Sequence, residues 1–410
     1  MTTTNDMTVD ALASGALGRF VWLTGKNFSG RSSILQNVCE RYSSQSGQAI
    51  IIPPEVHNAI SGLVPSVREE ITLHIGQEPS ADGFWSLARE WGLMEFATRD
   101  PFTLSGGEQA MLVVLCKLAL LPKLLCLDGA LEQLDPDNLR KVLGVILSGK
   151  PFTSLPQTIL THNGHLPESN AAEIRQLPSA QIAHDEGMPA PPPLDHSGFT
   201  PSQVHEPVTI KLVDFAFQYP HGATVFKRLN LRLEPGRIYR LAGPNGIGKS
   251  TLARLLTGVL RPKHGEIIVH GKAFDSYSRP GTLARLHFQS PDFQLFESTV
   301  GDELNSLSTD ARQAAVRFAG LDGILTQHPF DLPFVLRKRL ALTLILNTSS
   351  PWLIFDEPTL GQDEDARNAI GHALRKLAAA GHGVILISHN AEFGQSFSDE
   401  ELNLLQLTNG

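Results

Sequence analysis

Cysteine is scarce in this sequence, with only Cys39, Cys116 and Cys126 among 410 residues. Their spacing shows none of the close pairs that bind zinc, which argues against a metal site or a disulfide framework built on them. Two of the three stand in apolar stretches. We therefore expect reduced, mostly buried thiols of the kind that cytosolic proteins carry.

The sequence also lacks a long apolar run and an excess of positive charge. Its most apolar stretch, Met111–Leu127, contains Lys117, Pro122 and Lys123, and nowhere are there the roughly 20 consecutive apolar residues that a membrane-spanning helix needs. Residues 1–18 resemble no secretory signal. The net charge of −8 argues against a nucleic-acid-binding surface. The length and composition indicate a soluble globular protein of two domains.

What is present is a set of phosphate-binding motifs in the second half of the chain. Residues Gly243–Thr251 read GPNGIGKST, an intact G-x-x-x-x-G-K-[ST] loop. Residues Leu353–Thr359 read LIFDEPT, an apolar strand that ends in two carboxylates. Between them, Leu332–Leu336 reads LPFVL.

The first half contains the same set of motifs, but different motifs depart from the intact sequence in the two halves. Its phosphate loop at Gly25–Ser32 reads GKNFSGRS, and its carboxylate pair has become Asp128 followed by Gly129. Residues Leu104–Gln109, in contrast, read LSGGEQ, where the second half has LPFVL. The damage is complementary, which suggests one working active site shared by two halves.

The spacing of the motifs supports an internal duplication. Leu104 precedes Asp128 by 24 residues, and Leu332 precedes Asp356 by 24 residues. A histidine follows the aspartate after 34 residues in the first half and after 33 in the second. We therefore interpret Leu332–Leu336 as a decayed copy of the LSGGEQ sequence.

These motifs, in one order and in register twice, resemble those of the ATP-binding cassette (ABC) ATPases. The segment Phe288–Leu304 is similar to the Q-loop of energy-coupling-factor importers for vitamins and metal ions. The resemblance implies an α/β fold with two P-loop NTPase domains, each a mainly parallel sheet flanked by helices with a helical signature subdomain. We expect a degenerate domain at 1–178, a linker at 179–206 and a second domain at 207–410. An added antiparallel β subdomain is expected in the second domain only.

The linker at 179–206 contains the sequence PAPPP and neither lysine nor arginine. Such a composition favours an extended, solvated chain, and its 28 residues would reach roughly 90 Å at about 3.3 Å each. The two halves can then face each other within one chain. We interpret His184, His196 and His205 as solvated loop residues.

The resemblance implies ATP and Mg²⁺ as cofactors and gives the residues of the second half their roles. Glu357 would be the general base or orient the attacking water, with His389 and Gln289 as the other catalytic residues. Asp356, Ser250 and Gln289 would hold the metal ion. The residues expected to bind the nucleotide are Tyr219, Gly243, Asn245, Gly246, Gly248, Lys249, Ser250 and Thr251 in the second half, and Ser105, Gly106 and Gly107 in the first.

Head-to-tail pairing, as in this family, would place the Ser105–Gly107 signature against the phosphate loop of the second half. The opposite site would combine Arg31 and Gly129 with the decayed signature, where Pro333 has no N–H to offer. An ungapped alignment on the following helix puts Val56 at the position of Gln289. Hydrolysis is therefore expected at the second phosphate loop only.

The resulting hypothesis is an ATPase subunit of an energy-coupling-factor importer. Its partners would be integral membrane transport subunits, which would bind the Q-loop at Phe293, Leu295 and Phe296, expected to be exposed. No nucleic acid is expected, and the two halves would pair within the chain. It would be cytoplasmic and peripheral on the cytoplasmic face of the cell membrane. Two alternatives stay open, a soluble ABC ATPase that acts on ribosomes or DNA and a nucleotide sensor that does not cycle.

Overall fold

The computed structural model of the chain describes residues 12, 19–24, 27, 30–45, 48–77, 83–148, 156–162, 173–176, 193–204, 206–219, 224–244 and 246–409. The chain divides into two compact units, Met1–Ala190 and Pro191–Gly410. This division lies inside the segment that we predicted to be the linker. Each unit contains a five-stranded parallel sheet, so the predicted α/β class is confirmed.

The sheet of the first unit has the order β2-β3-β4-β1-β5. Its strands are β1 (Phe20–Thr24), β2 (Ala49–Ile52), β3 (Leu124–Asp128), β4 (Gln157–Thr161) and β5 (Glu173–Gln176). All described pairings are parallel. The interior strand β3, which lies between β2 and β4, is buried along its whole length, as expected for a parallel strand with helices on both faces of the sheet.

The helices of the first unit are α1 (Arg31–Gln45), α2 (Val67–Ile75), α3 (Phe84–Glu90), α4 (Gly106–Ala119) and α5 (Pro136–Ser148). Helix α4 is apolar almost all round, and ten of its residues are buried. A helix of this kind belongs in a core rather than at a surface.

The second unit contains two sheets. Its strands are β6 (Ile210–Gln218), β7 (Thr224–Leu233), β8 (Ile238–Ala242), β9 (His264–Val269), β10 (Lys272–Phe274), β11 (Ala284–His287), β12 (Trp352–Asp356), β13 (Gly383–Ile387) and β14 (Glu400–Asn403). The parallel sheet has the order β11-β12-β13-β8-β14, and the antiparallel sheet has the order β10-β9-β6-β7. The added antiparallel subdomain is therefore present, as predicted.

The helices of the second unit are α6 (Lys249–Leu256), α7 (Val300–Glu303), α8 (Thr309–Ala319), α9 (Phe334–Leu346), α10 (Glu364–Ala379), α11 (Ala391–Phe397) and α12 (Leu404–Asn409). The two parallel sheets have one topology, because β1, β2, β3, β4 and β5 take the places of β8, β11, β12, β13 and β14. In both units the phosphate-loop strand leads to a helix. The carboxylate strand, β3 or β12, lies two positions away from it in the sheet, with β4 or β13 between them.

The end of the predicted linker packs against the second unit, which corrects its interpretation as a solvated chain. We call residues 193–204 the strap. The Lys376 ammonium on α10 donates to the carbonyl oxygens of His196 at 2.8 Å and Phe199 at 2.9 Å. The Phe199 ring is buried beside Phe318 of α8. The His196 ring stacks on His372, with 4.7 Å between the centroids.

A second group of contacts holds the end of the strap. The buried His382 ring lies 2.9 Å from the carbonyl oxygen of Ser202, and the Val204 N–H donates to the Ala380 carbonyl at 3.2 Å. His196 is thus a packed residue and not a solvated one. The other two linker histidines, at positions 184 and 205, lie outside the described residues.

The three cysteines are free and buried, as the sequence predicts. Cys39 and Cys126 share a side-chain hydrogen bond. In the described ranges, none of the helices combines the length and the apolar character needed to cross a membrane.

Candidate active site

The phosphate loop of the second unit connects the end of β8 to the start of α6. Three of its glycines have left-handed backbones, with φ of 139° at Gly243, 77° at Gly246 and 107° at Gly248. A Cβ at Gly248 would lie 2.4 Å from the Val225 side chain, so this position requires glycine. Asn245, which we expected to bind the nucleotide, lies outside the described residues.

The Lys249 ammonium lies over this loop. Its Nζ donates to the carbonyl oxygens of Gly243 at 2.7 Å and Pro244 at 3.1 Å. Lys249 is also the first residue of α6, where the free N–H groups of a helix favour an anion. The loop therefore combines a cation, turned glycine amides and a helix N-terminus in one place, which is suited to a phosphate group.

Tyr219 lies beside the phosphate-loop helix, next to the antiparallel sheet. Its hydroxyl is 3.1 Å from the Thr251 hydroxyl, and its half-buried ring meets Phe217 edge to face at 4.8 Å. The structure thus brings Tyr219 and Thr251, two of the residues expected to bind the nucleotide, into contact. The role of Tyr219 in stacking on adenine remains a prediction.

Asp356 ends β12 at the same sheet edge and is buried. Burial raises the pKa of its carboxyl group, and a hydrogen bond from the Ser250 hydroxyl partly offsets this effect. Ser250 and Asp356, two of the three residues that we expected to hold Mg²⁺, are therefore in contact. No group of three or more His, Cys, Asp or Glu side chains in the described ranges is arranged to hold a metal ion. Two hard oxygen ligands fit Mg²⁺ provided that nucleotide phosphates complete its shell.

Glu357 has a left-handed backbone, with φ of 47°, a conformation that costs a non-glycine residue roughly 1–3 kcal/mol. Its carboxylate accepts a hydrogen bond of 2.8 Å from the His389 backbone N–H, and the His389 Nε2 lies 3.8 Å from the same oxygen. Burial, and then the charge of Asp356, raise the pKa of Glu357 to about 8. Backbone strain and a raised pKa together are typical of a functional carboxylate.

Lys338 was not predicted as a site residue, yet it is the fully buried cation of this region. It lies on α9, and its Nζ donates to the carbonyl oxygens of Gln289 and Glu357, both at 2.9 Å. Burial lowers the pKa of Lys338 to about 7. The half-buried Gln289 is thus connected to Glu357 through Lys338. No pattern in the sequence indicated this contact, because Lys338 follows a decayed signature.

The Q-loop after Gln289 exposes two aromatic side chains. Phe293 is 68% exposed and Phe296 is 81% exposed. The buried Glu303 carboxylate holds this loop by accepting hydrogen bonds from the backbone N–H groups of Phe296 and Glu297. Leu295, which we expected to be exposed with the two aromatics, is instead buried in the unit, because the turn directs it inward between them.

The first unit has the same backbone at the base position without the carboxylate. Gly129 has a φ of 60°, and its N–H donates to the Thr161 carbonyl at 3.2 Å, as Glu357 N–H donates to Ile387 at 2.9 Å. The Thr161 hydroxyl donates to the Asp128 carboxylate at 2.8 Å. The geometry of the turn therefore survives in the first unit, with glycine in the place of Glu357.

The counterpart of the Q-loop glutamine needs a correction. Strands β2 and β11 end at Ile52 and His287, and each of these residues pairs with the residue before the aspartate of the neighbouring strand. Gln289 is two residues beyond His287, so its counterpart is Pro54 rather than Val56. The loop before the next helix is two residues longer in the first unit, and an ungapped alignment on that helix therefore shifts the match.

The intact signature of the first unit forms the start of α4. Ser105 is the N-cap, and it forms a capping box with Glu108. Ser105 is exposed, Gly106 is half-buried and Gly107 is buried, so the helix start presents a hydroxyl and backbone N–H groups. In the second unit, Pro333 is the N-cap of α9 and makes no side-chain cap. Phe334 is buried there, next to Gly361.

Comparison with known proteins agrees with this geometry. The family model described as ABC transporter matches residues 14–132 and 226–360, more than half of the chain. A putative ABC transporter ATP-binding protein of Methanosarcina acetivorans is 27% identical over 400 residues, 78% of this chain and 64% of the relative. The energy-coupling factor transporter ATP-binding protein EcfA of Methanothermobacter thermautotrophicus is 32% identical over 205 residues, 46% of this chain and 66% of that protein.

Two further matches cover most of this chain. The putative HMP/thiamine import ATP-binding protein YkoD of Bacillus subtilis is 25% identical, over 74% of this chain and 64% of that protein. The chain thus spans slightly under two thirds of the length of the Methanosarcina and Bacillus relatives. Among solved structures, an archaeal ribosome recycling factor, aABCE1 in complex with aP1, matches with a TM-score of 0.56 at 16% identity. That match covers 93% of this chain and 82% of the other, and at this identity it shows the fold alone.

The family and the names of the relatives, which are ATP-binding proteins, indicate an ATPase. The relatives include an energy-coupling-factor protein, the type that the Q-loop sequence resembles. The chain therefore belongs to the ABC transporter family, with the ATP-binding domain of that family present twice.

Proposed function

We propose that this chain is the ATP-hydrolysing subunit of an energy-coupling-factor importer, with one competent composite site and one degenerate site. The observation that carries the proposal is the asymmetry between the units. Ser250, Asp356, Glu357 and His389 meet at one sheet edge of the second unit. The first unit has Gly129 where the second has its base.

In the proposed reaction, the phosphate loop binds ATP and Glu357 prepares the attacking water. Lys249 would leave the loop carbonyls for the phosphate oxygens, and the turned glycine amides would bind the same group. Ser250 and Asp356 would hold Mg²⁺, which when bound neutralises charge on the phosphates. Glu357 would orient or deprotonate the water, and His389 would contact the terminal phosphate.

The signature of the first unit would complete this site in a head-to-tail pairing. The exposed Ser105 hydroxyl and the amides at the start of α4 are suited to the terminal phosphate of a nucleotide bound to the second unit. The reverse site would pair the degenerate first loop with Pro333 and Phe334. The absence of a base at Gly129 supports hydrolysis at one site only.

The proposed membrane partners would bind at the Q-loops. Phe296 lies four residues before α7, and Leu63 lies four residues before α2. These two side chains are 81% and 79% exposed, so each unit presents one large apolar residue at an equivalent place. The equivalent position of the two residues, and not their exposure alone, supports a common partner. We propose a cytoplasmic, peripheral position on the membrane, with a vitamin or a metal ion as the transported substrate.

The test is co-purification from native membranes after mild detergent extraction. We expect the chain to be recovered with a polytopic membrane protein, and a Phe293→Asp/Phe296→Asp variant to lose that partner while it stays folded. A Tyr277→Asp variant, which changes another exposed aromatic of the same unit (47% exposed), is the matched control. Recovery with ribosomes or nucleic acid instead would favour the non-transport alternative.

A further inference from the structure

We propose that Lys338 is a positioning residue, which ties the backbone of the base Glu357 to the backbone of Gln289 so that the Q-loop sets the position of the carboxylate. This inference rests on the proposed hydrolysis at the second unit. It concerns a residue on α9, a helix that supplies no other group to the site.

The geometry that carries the inference is a bridge of two hydrogen bonds. The Lys338 ammonium donates to the Gln289 carbonyl and to the Glu357 carbonyl, both at 2.9 Å. Its side chain is 1% exposed, and burying a cation this deeply is unfavourable unless its hydrogen bonds are made. Because both acceptors are backbone atoms, the bridge fixes where the two residues lie and leaves their side chains free to act.

The bridge helps to hold Glu357 in its strained backbone conformation. A left-handed glutamate persists only when its surroundings fix it. The N–H of Glu357 is held by the Ile387 carbonyl at 2.9 Å, and its carbonyl is held by Lys338. The peptide groups on both sides of the residue are therefore fixed, one to β13 and the other to α9.

The duplication supplies an internal comparison. Helices α4 and α9 begin two residues after Leu104 and Leu332, so the fifth residue is Ala110 in one helix and Lys338 in the other. Both residues are buried. The first unit thus lacks the lysine together with the glutamine and the base that the lysine connects.

The first unit also shows that the fold does not need this lysine. There the carbonyl of Pro54, the counterpart of Gln289, accepts a hydrogen bond of 3.2 Å from the Gln133 side chain. The same strand-end carbonyl is therefore satisfied by a neutral residue on a different loop. The buried cation is therefore found in the unit that has Gln289 and Glu357, and it is missing from the unit that has only the same sheet topology.

A neighbouring cation joins the same helix to the Q-loop. The Arg337 Nε lies 3.1 Å from the Asp292 carboxylate, and its guanidinium donates to the Leu332 carbonyl at 3.1 Å. Helix α9 thus contacts the Q-loop through two adjacent residues. Lys338 binds a backbone carbonyl of the loop, and Arg337 lies beside a carboxylate side chain. A displacement of the Q-loop by a bound partner would reach Glu357 through this helix.

The experiment measures ATP turnover and ATP affinity of the full chain carrying Lys338→Met. We expect the turnover number to fall about 10- to 100-fold, since a misplacement of roughly 1 Å has effects of this size, while the dissociation constant of ATP changes less than about threefold. In the Glu357→Gln background, Lys338→Met should lower the residual turnover no further, because it acts through Glu357.

The matched control is Arg339→Met, which removes the next buried cation of α9, a residue that donates to Gln362 at 3.3 Å. Its effect should remain in the Glu357→Gln background. Should Lys338→Met fail to fold, Lys338→Gln replaces it, since its shorter, neutral amide group still carries two N–H donors. Wild-type turnover with Lys338→Met, or a loss that persists in full beside Glu357→Gln, would overturn the inference. A wild-type chain that does not hydrolyse ATP would instead overturn the proposed function and the inference with it.

Discussion

Glu357 and Gly129 have the same left-handed backbone, with φ of 47° and 60°, but only one of them carries a carboxylate. Glycine adopts this conformation without strain, whereas glutamate does not. The first unit thus has the relaxed residue and the second unit keeps the strained one. The strain is understandable if the carboxylate at this place is needed for chemistry.

The role of Glu357 as the base leads to a prediction for Glu357→Gln. We expect turnover to fall by about 10²–10⁴, the usual effect of losing a general base. ATP binding should remain, because the phosphate loop is unchanged. Turnover and nucleotide affinity are measured on the same preparation, with the exposed Glu364→Gln as the control. Turnover within twofold of wild type would assign the base elsewhere.

The strain at Glu357 leads to a second prediction, on stability. The pKa of Glu357 is raised from 4.5 to about 8. The contribution of this protonated side chain to the free energy of unfolding is therefore complete below its pKa in the unfolded chain, and it is lost as the pH rises through 8. Glu357→Gly removes both the buried charge and the strained backbone. We therefore expect the nucleotide-free variant to unfold at least about 2 °C above wild type at pH 8.

The pH dependence distinguishes the two causes in that variant. Backbone strain is independent of pH, whereas the charge on the buried carboxyl group is not. The increase in the unfolding midpoint of Glu357→Gly, measured by calorimetry, should therefore be smaller at pH 5 than at pH 8. Equal unfolding midpoints of variant and wild type at both pH values would contradict the account of Glu357.

At the level of elements, the strap at residues 193–204 is the clearest departure from the sequence interpretation. A stretch without lysine or arginine was expected to be solvated, but its carbonyl groups accept from Lys376 of a distant helix. The strap contacts both α8, through Phe199, and α10, through His196. It therefore connects two helices of the second unit that are far apart in the chain.

This connection predicts the effect of Lys376→Met. The variant loses three hydrogen bonds to strap carbonyls, and hydrogen bonds to charged groups are worth roughly 1.5–3 kcal/mol each when buried, less at this partly exposed position. We expect a loss of about 1–3 kcal/mol in the free energy of unfolding and faster proteolytic cleavage within the strap. Lys211→Met, at an exposed position on β6, is the control. Unchanged cleavage would mean that apolar packing at Phe199 alone holds the strap.

The parts that the sequence predicted are those that short motifs determine. The strand before Asp356 and the glycine-rich turn of the phosphate loop follow from local patterns. The strap and Lys338 could not be predicted, since each depends on a contact between residues far apart in the chain. Leu295 was placed on the wrong side because the turn of the Q-loop, and not its composition, decides which side chains are exposed.

At the level of the whole molecule, the two units differ in chemistry more than in topology. Both sheets have one strand order, and both signature helices begin at equivalent residues. The capping box at Ser105 is intact, whereas Pro333 has no side-chain cap. The proposal that follows is a single site built from the signature of one unit and the phosphate loop of the other.

The most direct measurement of this claim is ATP turnover by Ser105→Arg and by Pro333→Arg, each with ATP binding measured alongside. Ser105 is 144 residues before Lys249, in the unit without a base. We predict that Ser105→Arg abolishes turnover, because a bulky cation replaces the hydroxyl that would meet the terminal phosphate, while Pro333→Arg leaves most turnover intact. ATP binding should largely remain in both. Normal hydrolysis by Ser105→Arg together with an inactive Pro333→Arg would contradict the head-to-tail pairing.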